Sequence, residues 1–183
     1  MTAIKIYRQV LDFLKRHEAP DYTAYDDECM ITMGMSIDKK LKGGYRRIVC
    51  DDFMCIIYSC IQLKADEQSR LSVMEYLTRI NFTLSYGSFD MDLDDGEIRF
   101  RLYLSCIDRD SLSDTLIGKH LATSQVMYEY YGDGLLAVMS GTKSPEEALD
   151  EVLLDELLSI ADDAEGESCC CCGHDHDHDH DDD

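Results

Sequence analysis

The residues with the plainest chemistry stand at the end of the chain, in the run CCCCGHDHDHDHDDD. Cys169, Cys170, Cys171 and Cys172 are contiguous, and His174, His176, His178 and His180 alternate with aspartates. Thiolate and neutral imidazole are the side chains that hold borderline and soft transition metals, so this tract reads as a metal-binding tail. An acidic solubilising tail, or compositional drift, would account for the aspartates but not for the cysteines or histidines. Zinc or nickel is the expected ion and copper stays open, since zinc takes both ligand types, nickel and copper(II) favour imidazole, and cuprous copper favours thiolate. Structural zinc sites usually space their cysteines as CxxC so that two sulfurs converge from one turn. Adjacent cysteines lack that geometry, which points to a loose, exchangeable site holding more than one ion.

In composition this tail resembles the metal-binding tail of the SlyD nickel-handling prolyl isomerases. The likeness stops at the tail. Nothing upstream resembles an isomerase domain.

Charge separates the tail from the body. All 17 basic residues lie at or before Lys143, and 16 of the 38 acidic residues follow it. The first 143 residues therefore carry −5 of the formal charge of −21 and the remainder −16. Such a chain repels phosphate backbones and anionic lipid surfaces, so nucleic-acid and membrane partners are excluded as the leading reading. The first residues, MTAIKIYRQVLDFLKRH, contain no apolar signal core, and a cytoplasmic location is expected. Nine cysteines are an odd number with four contiguous; Cys29, Cys50, Cys55, Cys60 and Cys106 sit in apolar stretches and read as buried reduced thiols.

The elements follow from periodicity. Ile6, Val10 and Phe13 with Tyr7, Leu11 and Leu14 predict an amphipathic helix over 4–17, ended by Pro20. Three strand-like runs come next, at 30–37, 45–50 and 53–63; the last is almost wholly apolar and is expected to be central in the sheet. A second helix is predicted over 69–85, with Leu71, Met74, Leu77 and Asn81 on one side and Val73 and Leu84 flanking it, and Gly87 ends it. Phe89, Met91 and Leu93 then alternate with aspartates, Asp94-Asp95-Gly96 turns, and Ile98, Phe100, Leu102 and Leu104 alternate with Arg99, Arg101 and Tyr103. A third helix is predicted over 112–131, interrupted at Gly132-Asp133-Gly134 and continued over 135–139. Ser144-Pro145-Glu146-Glu147 has the form of a capping box before a last helix with Leu149, Val152, Leu153, Leu157 and Ile160 on one face. From Asp162 onward no apolar periodicity remains, and 162–183 is expected to be a disordered acidic tail beyond a domain of 1–161.

The order helix, three strands, helix, two strands, helices gives an α+β fold that resembles the class I type III secretion chaperones. The local sequence resembles the YbjN family of bacterial sensory-transduction regulators. The residues that carry the likeness are Tyr76-Leu77-Thr78-Arg79-Ile80-Asn81, Tyr86-Gly87-Ser88-Phe89-Asp90-Met91-Asp92, Asp95-Gly96-Glu97-Ile98-Arg99-Phe100-Arg101 and the later Ser144-Pro145-Glu146-Glu147-Ala148. It spans roughly 4–149 and leaves the tail outside. The resemblance implies a non-catalytic domain that binds other proteins or takes part in regulation, and the shared fold suggests a homodimer. It carries Asn81, Gly87 and Gly96 over as structural positions and brings no active site.

The remaining motifs do not assemble into a catalyst. Asp90, Asp92 and Asp94 occupy the first, third and fifth places of a calcium loop, but Asp95 stands where glycine belongs and Arg101 where glutamate belongs. His17 and His120 could pair with a body cysteine, yet no local signature links them. Tyr128, Tyr130 and Tyr131 with Met127 read first as core packing and second as an interface patch. The expected function is a non-enzymatic cytoplasmic adaptor or regulator with a transition-metal-binding tail and an unidentified protein partner. The alternative is a metallochaperone or metal-storage protein that delivers nickel or zinc to a partner.

Overall fold

The computed structural model describes residues 2–19, 21–37 and 39–166, with side chains as far as Asp155 apart from that of Lys39. Helix α1 (Ala3–Arg16) is followed by strands β1 (Tyr22–Tyr25), β2 (Met30–Met35), β3 (Gly44–Cys50) and β4 (Met54–Lys64). Helix α2 (Arg70–Thr83), strands β5 (Ser88–Met91) and β6 (Glu97–Ser105), and helices α3 (Asp114–Met139) and α4 (Pro145–Gly166) complete the order. The expected α+β architecture is present. The strands form one antiparallel sheet in the order β1-β2-β3-β4-β6-β5, so the apolar run β4 is flanked on both sides, as its composition predicts.

Alternation along the strands divides the sheet into two faces. Ile31, Ile48, Cys55, Ile57, Phe100, Leu102 and Leu104 are buried on one face beneath the helices. Tyr7, Val10 and Leu14 of α1, together with Ile117, Tyr128 and Leu135 of α3, supply the apolar cover. The Tyr128 hydroxyl donates to the Ser59 carbonyl at 2.7 Å, so the ring enters the core with its polar end satisfied. Arg46 also lies on this face, where it donates to the Leu121 carbonyl at 2.9 Å, and burial lowers the pKa of its guanidinium.

Four expectations need correction. Strand β1 was not anticipated: Tyr22–Tyr25 is a short, largely exposed edge strand hemmed by acidic residues, so it lacks the alternation that marks half-buried strands. Helix α3 runs unbroken through Gly132 and Gly134, because those positions serve close packing. A Cβ at Gly132 would come within 2.9 Å of Leu41, and one at Gly134 within 2.2 Å of the Tyr76 hydroxyl. Helix α2 buries Val73, Tyr76, Leu77 and Ile80, leaving Leu71 73 % and Phe82 92 % exposed with Met74 also outside. Leu93 lies beyond the end of β5, exposed in the turn.

The local signals held elsewhere. Asn81 reaches from α2 to bond both the amide and the carbonyl of Phe89, at 2.7 and 2.8 Å, which anchors the start of β5. Gly96 has φ +77°, and a Cβ there would meet the Ala65 carbonyl oxygen at 2.0 Å, so both conformation and space require glycine. The capping box at Ser144 and Glu147 is reciprocal: Glu147 N–H donates to Ser144 Oγ at 3.2 Å, and Ser144 N–H donates to Glu147 Oε2 at 2.9 Å. The body extends to Val152, and residues from Leu153 form a separate unit, helical as far as Gly166.

Candidate protein-docking face

The second face of the sheet is built from the residues that alternate with the core. Across its central strands the register sets Arg47 beside Tyr58 and Tyr58 beside Arg101, Tyr45 beside Cys60 and Cys60 beside Arg99, and Val49 beside Ile56 and Ile56 beside Tyr103. These side chains are exposed or half-buried apart from Cys60, which is covered. The result is a row of guanidinium groups and phenol rings over a short aliphatic strip.

The arginines are held in place. Arg47 and Arg99 stand 5.1 and 4.9 Å from the Tyr58 ring centroid, so one ring is flanked by two cations, and Arg101 lies 5.3 Å from the Tyr103 ring. Each such contact contributes about 0.5–1 kcal/mol at an exposed site. Asp90 of the edge strand accepts from Arg99 at 3.3 Å and lies 3.2 Å from Arg101, which realises the acidic and basic rows visible in the sequence. Fixed cations and rings lose little entropy when they meet a ligand, which suits them to recognition.

Cys60 lies beneath this row. Its thiol is 3.8 Å from Glu97 Oε1, while Tyr45 donates its hydroxyl to Glu97 Oε2 at 3.0 Å. Burial pushes the Cys60 thiol pKa up, and the Tyr45 hydrogen bond and nearby arginines draw it back in part. Such a thiol is a packed neighbour of the face and a poor nucleophile at neutral pH.

The other candidates go elsewhere. Asp92 and Asp95 accept backbone amides within the β5–β6 turn, at 2.8 and 2.9 Å, and Asp95 also pairs with Lys64, so these carboxylates organise the turn. His17 bonds Asp114 at 3.1 Å. His120 contacts the Tyr86 hydroxyl through Nε2 and donates from Nδ1 to the Leu116 carbonyl at 2.7 Å. Tyr128 and Tyr131 are core residues, packed edge-on against Phe89. Among the described residues no group of three His, Cys, Asp or Glu side chains could hold a metal ion. Cys169 to Cys172 and His174, His176, His178 and His180 lie outside the described residues. No described helix is long and apolar enough to cross a membrane.

A sequence profile described as "Putative bacterial sensory transduction regulator" matches residues 21–137. The chain belongs to the YbjN family. No curated protein and no solved structure matches it. The YbjN match takes in all six strands, α2 and most of α3, and therefore the whole of the open face. It leaves α1, α4 and the Cys/His tail outside. The alternation of Arg99, Arg101 and Tyr103 was a readable signal for this face. The placement of Arg47 and Tyr58 depends on strand register, which a single sequence does not supply.

Proposed function

We propose that this YbjN member is a non-enzymatic regulator that docks a protein partner on the open face of its sheet and carries a transition-metal-binding tail. The observation that carries the reading is the chemistry of that face. On a chain of net charge −21 it gathers Arg47, Arg99 and Arg101 around Tyr45, Tyr58 and Tyr103, with Asp90 and Glu97 as the opposing charges. Arginine and tyrosine are the residues enriched at the energetic centres of interfaces. The occupant fitting such a face is a partner segment that brings carboxylates to the guanidinium row and an apolar residue to the strip at Val49 and Ile56.

Family membership supports regulation through protein partners, because YbjN proteins are described as sensory-transduction regulators. The tail adds an input. Cys169, Cys170, Cys171, Cys172, His174, His176, His178 and His180 supply the ligands that zinc, nickel or copper take, so the regulator would report or store metal.

Charge reversal tests the docking face. Arg47→Glu with Arg101→Glu is expected to abolish capture of the partner taken by the wild-type chain, while circular dichroism stays unchanged. Undiminished capture by a folded double variant would remove the face from the account.

A further inference from the structure

Four of the five body cysteines, widely separated in sequence, converge at one end of the sheet. Cys50 ends β3 and Cys55 follows the opening residue of β4, and the two are direct cross-strand partners. The Cys50 amide donates to the Cys29 carbonyl at 3.0 Å, and the Cys106 amide donates to the Phe53 carbonyl at 2.8 Å. Cys29 and Cys106 are thereby brought to the same corner.

The Cys50 backbone bonds towards β2, so it does not bond across to Cys55. The next rung, Asp51 N–H to the Met54 carbonyl at 2.9 Å, is hydrogen-bonded across the hairpin. Rungs alternate, which makes Cys50 and Cys55 a non-hydrogen-bonded pair with Cα atoms about 4.5 Å apart. That falls inside the window of roughly 4.4–6.8 Å that a disulfide spans. As direct cross-strand partners, both side chains point to the same face of the sheet.

We infer that Cys50 and Cys55 form a reversible oxidation site that closes to a disulfide across the β3–β4 hairpin. The oxidant is a hydroperoxide. Cys50, the more accessible of the two at 5 % against 1 %, loses its proton and attacks the peroxide oxygen; the O–O bond breaks, giving a sulfenic acid and an alcohol or water. The Cys55 sulfur then attacks the sulfenic sulfur, forming the S–S bond and releasing water. Two thiols are oxidised by two electrons in total, and one peroxide is reduced.

Burial makes the pair slow, not inert. The rung beyond it is the last of the hairpin, and Asp51, Asp52 and Phe53 in the turn are all exposed, Phe53 at 62 %. Both sulfurs lie on the helix-covered face, so their oxidation goes through a local opening in which the turn and the end of α1 anchored to it lift together; chain ends and loops open at lower free-energy cost than the core. The same turn holds α1, since the Ala3 amide donates to Asp52 Oδ1 at 2.8 Å, so a bridge beneath it would stiffen the α1 anchor. A redox input of this kind extends the regulatory reading and stands apart from the docking face.

Thiol mapping on the full chain tests the site, with Cys169 to Cys172 replaced by serine so that the tail contributes no sulfur. The folded protein is treated with hydrogen peroxide, alkylated in denaturant and cleaved at its aspartates. Cleavage at Asp51 and Asp52 separates Cys50 from Cys55. The expected result is a loss of two thiols per chain, a linked pair of peptides containing Cys50 and Cys55, and recovery with a dithiol reductant. Full alkylation of both residues after oxidation, or a bridge between any other pair, would overturn the inference.

Discussion

Gly134 of α3 and Tyr76 of α2 approach so closely that a single methyl group at position 134 would come within 2.2 Å of the Tyr76 hydroxyl. That hydroxyl donates to the Tyr131 carbonyl at 3.1 Å, one turn back on the same helix, and so cannot move aside without losing a buried hydrogen bond. Alanine at 134 would gain roughly 1 kcal/mol of helix propensity but overpack the junction by about 1–3 kcal/mol. Gly134→Ala is expected to lower the denaturant midpoint. An increase would show that α2 and α3 are not packed as described.

This contact also explains what the sequence concealed. Gly132 and Gly134 read locally as a helix break, but their role is set by Leu41 and Tyr76, which come from distant parts of the chain. The face of α2 was misjudged for a related reason. Leu71, Met74 and Phe82 match a helical stripe as well as the buried Val73, Tyr76, Leu77 and Ile80 do, and only the neighbouring elements decide between them. Where the chemistry is local, the sequence was sufficient: the capping box at Ser144, the turn at Gly96 and the Asp90–Arg99 pairing all appear where residue types put them. The meeting of Cys29, Cys50, Cys55 and Cys106 needs the register of four strands and was not legible.

Asp114 joins the start of α3 to the end of α1. It accepts from Arg16 at 2.5 Å and from His17 at 3.1 Å, and these hydrogen bonds hold its carboxyl below the usual 3.8. Near that pH the unfolded chain binds the proton more readily than the folded one. The contribution is therefore present above the ordinary carboxylate range and is lost as pH falls through the lower folded value. Asp114→Asn should lower the thermal midpoint at pH 7 and make less difference at pH 3. A gap that is unchanged or wider at pH 3 would contradict this.

The exposed stripe of α2 bears on assembly. In an antiparallel pairing of two copies, Leu71 meets the partner's Phe82, and Glu75 and Arg79, which pair at 2.8 Å within each helix, can also pair between helices. Light scattering is expected to report a homodimer, with Phe82→Glu shifting it to monomer. A wild-type chain that stays monomeric across a broad concentration range would rule this out.

For the tail, zinc or nickel should bind to the intact reduced protein and not to a chain ending at Ala161, with affinity falling as pH drops because both ligand types must lose protons. Replacing the four histidines should weaken nickel more than cuprous copper, and replacing the four cysteines should do the reverse. Removing 162–183 should leave the metal-free thermal midpoint nearly unchanged. Titration calorimetry under reducing conditions, with a thermal melt of each chain, reads these outcomes; equal metal uptake by the shorter chain would place the site in the body.

The most direct measurement for a regulator that docks its partner on the sheet is capture from native lysate with and without chelator, using the wild-type chain, the chain ending at Ala161 and the Arg47→Glu, Arg101→Glu variant. One partner is expected to be held by the first two under both conditions and lost by the third. A partner held only when metal and tail are present, and still held by the charge-reversed variant, would contradict docking on the sheet and make the protein a metal carrier.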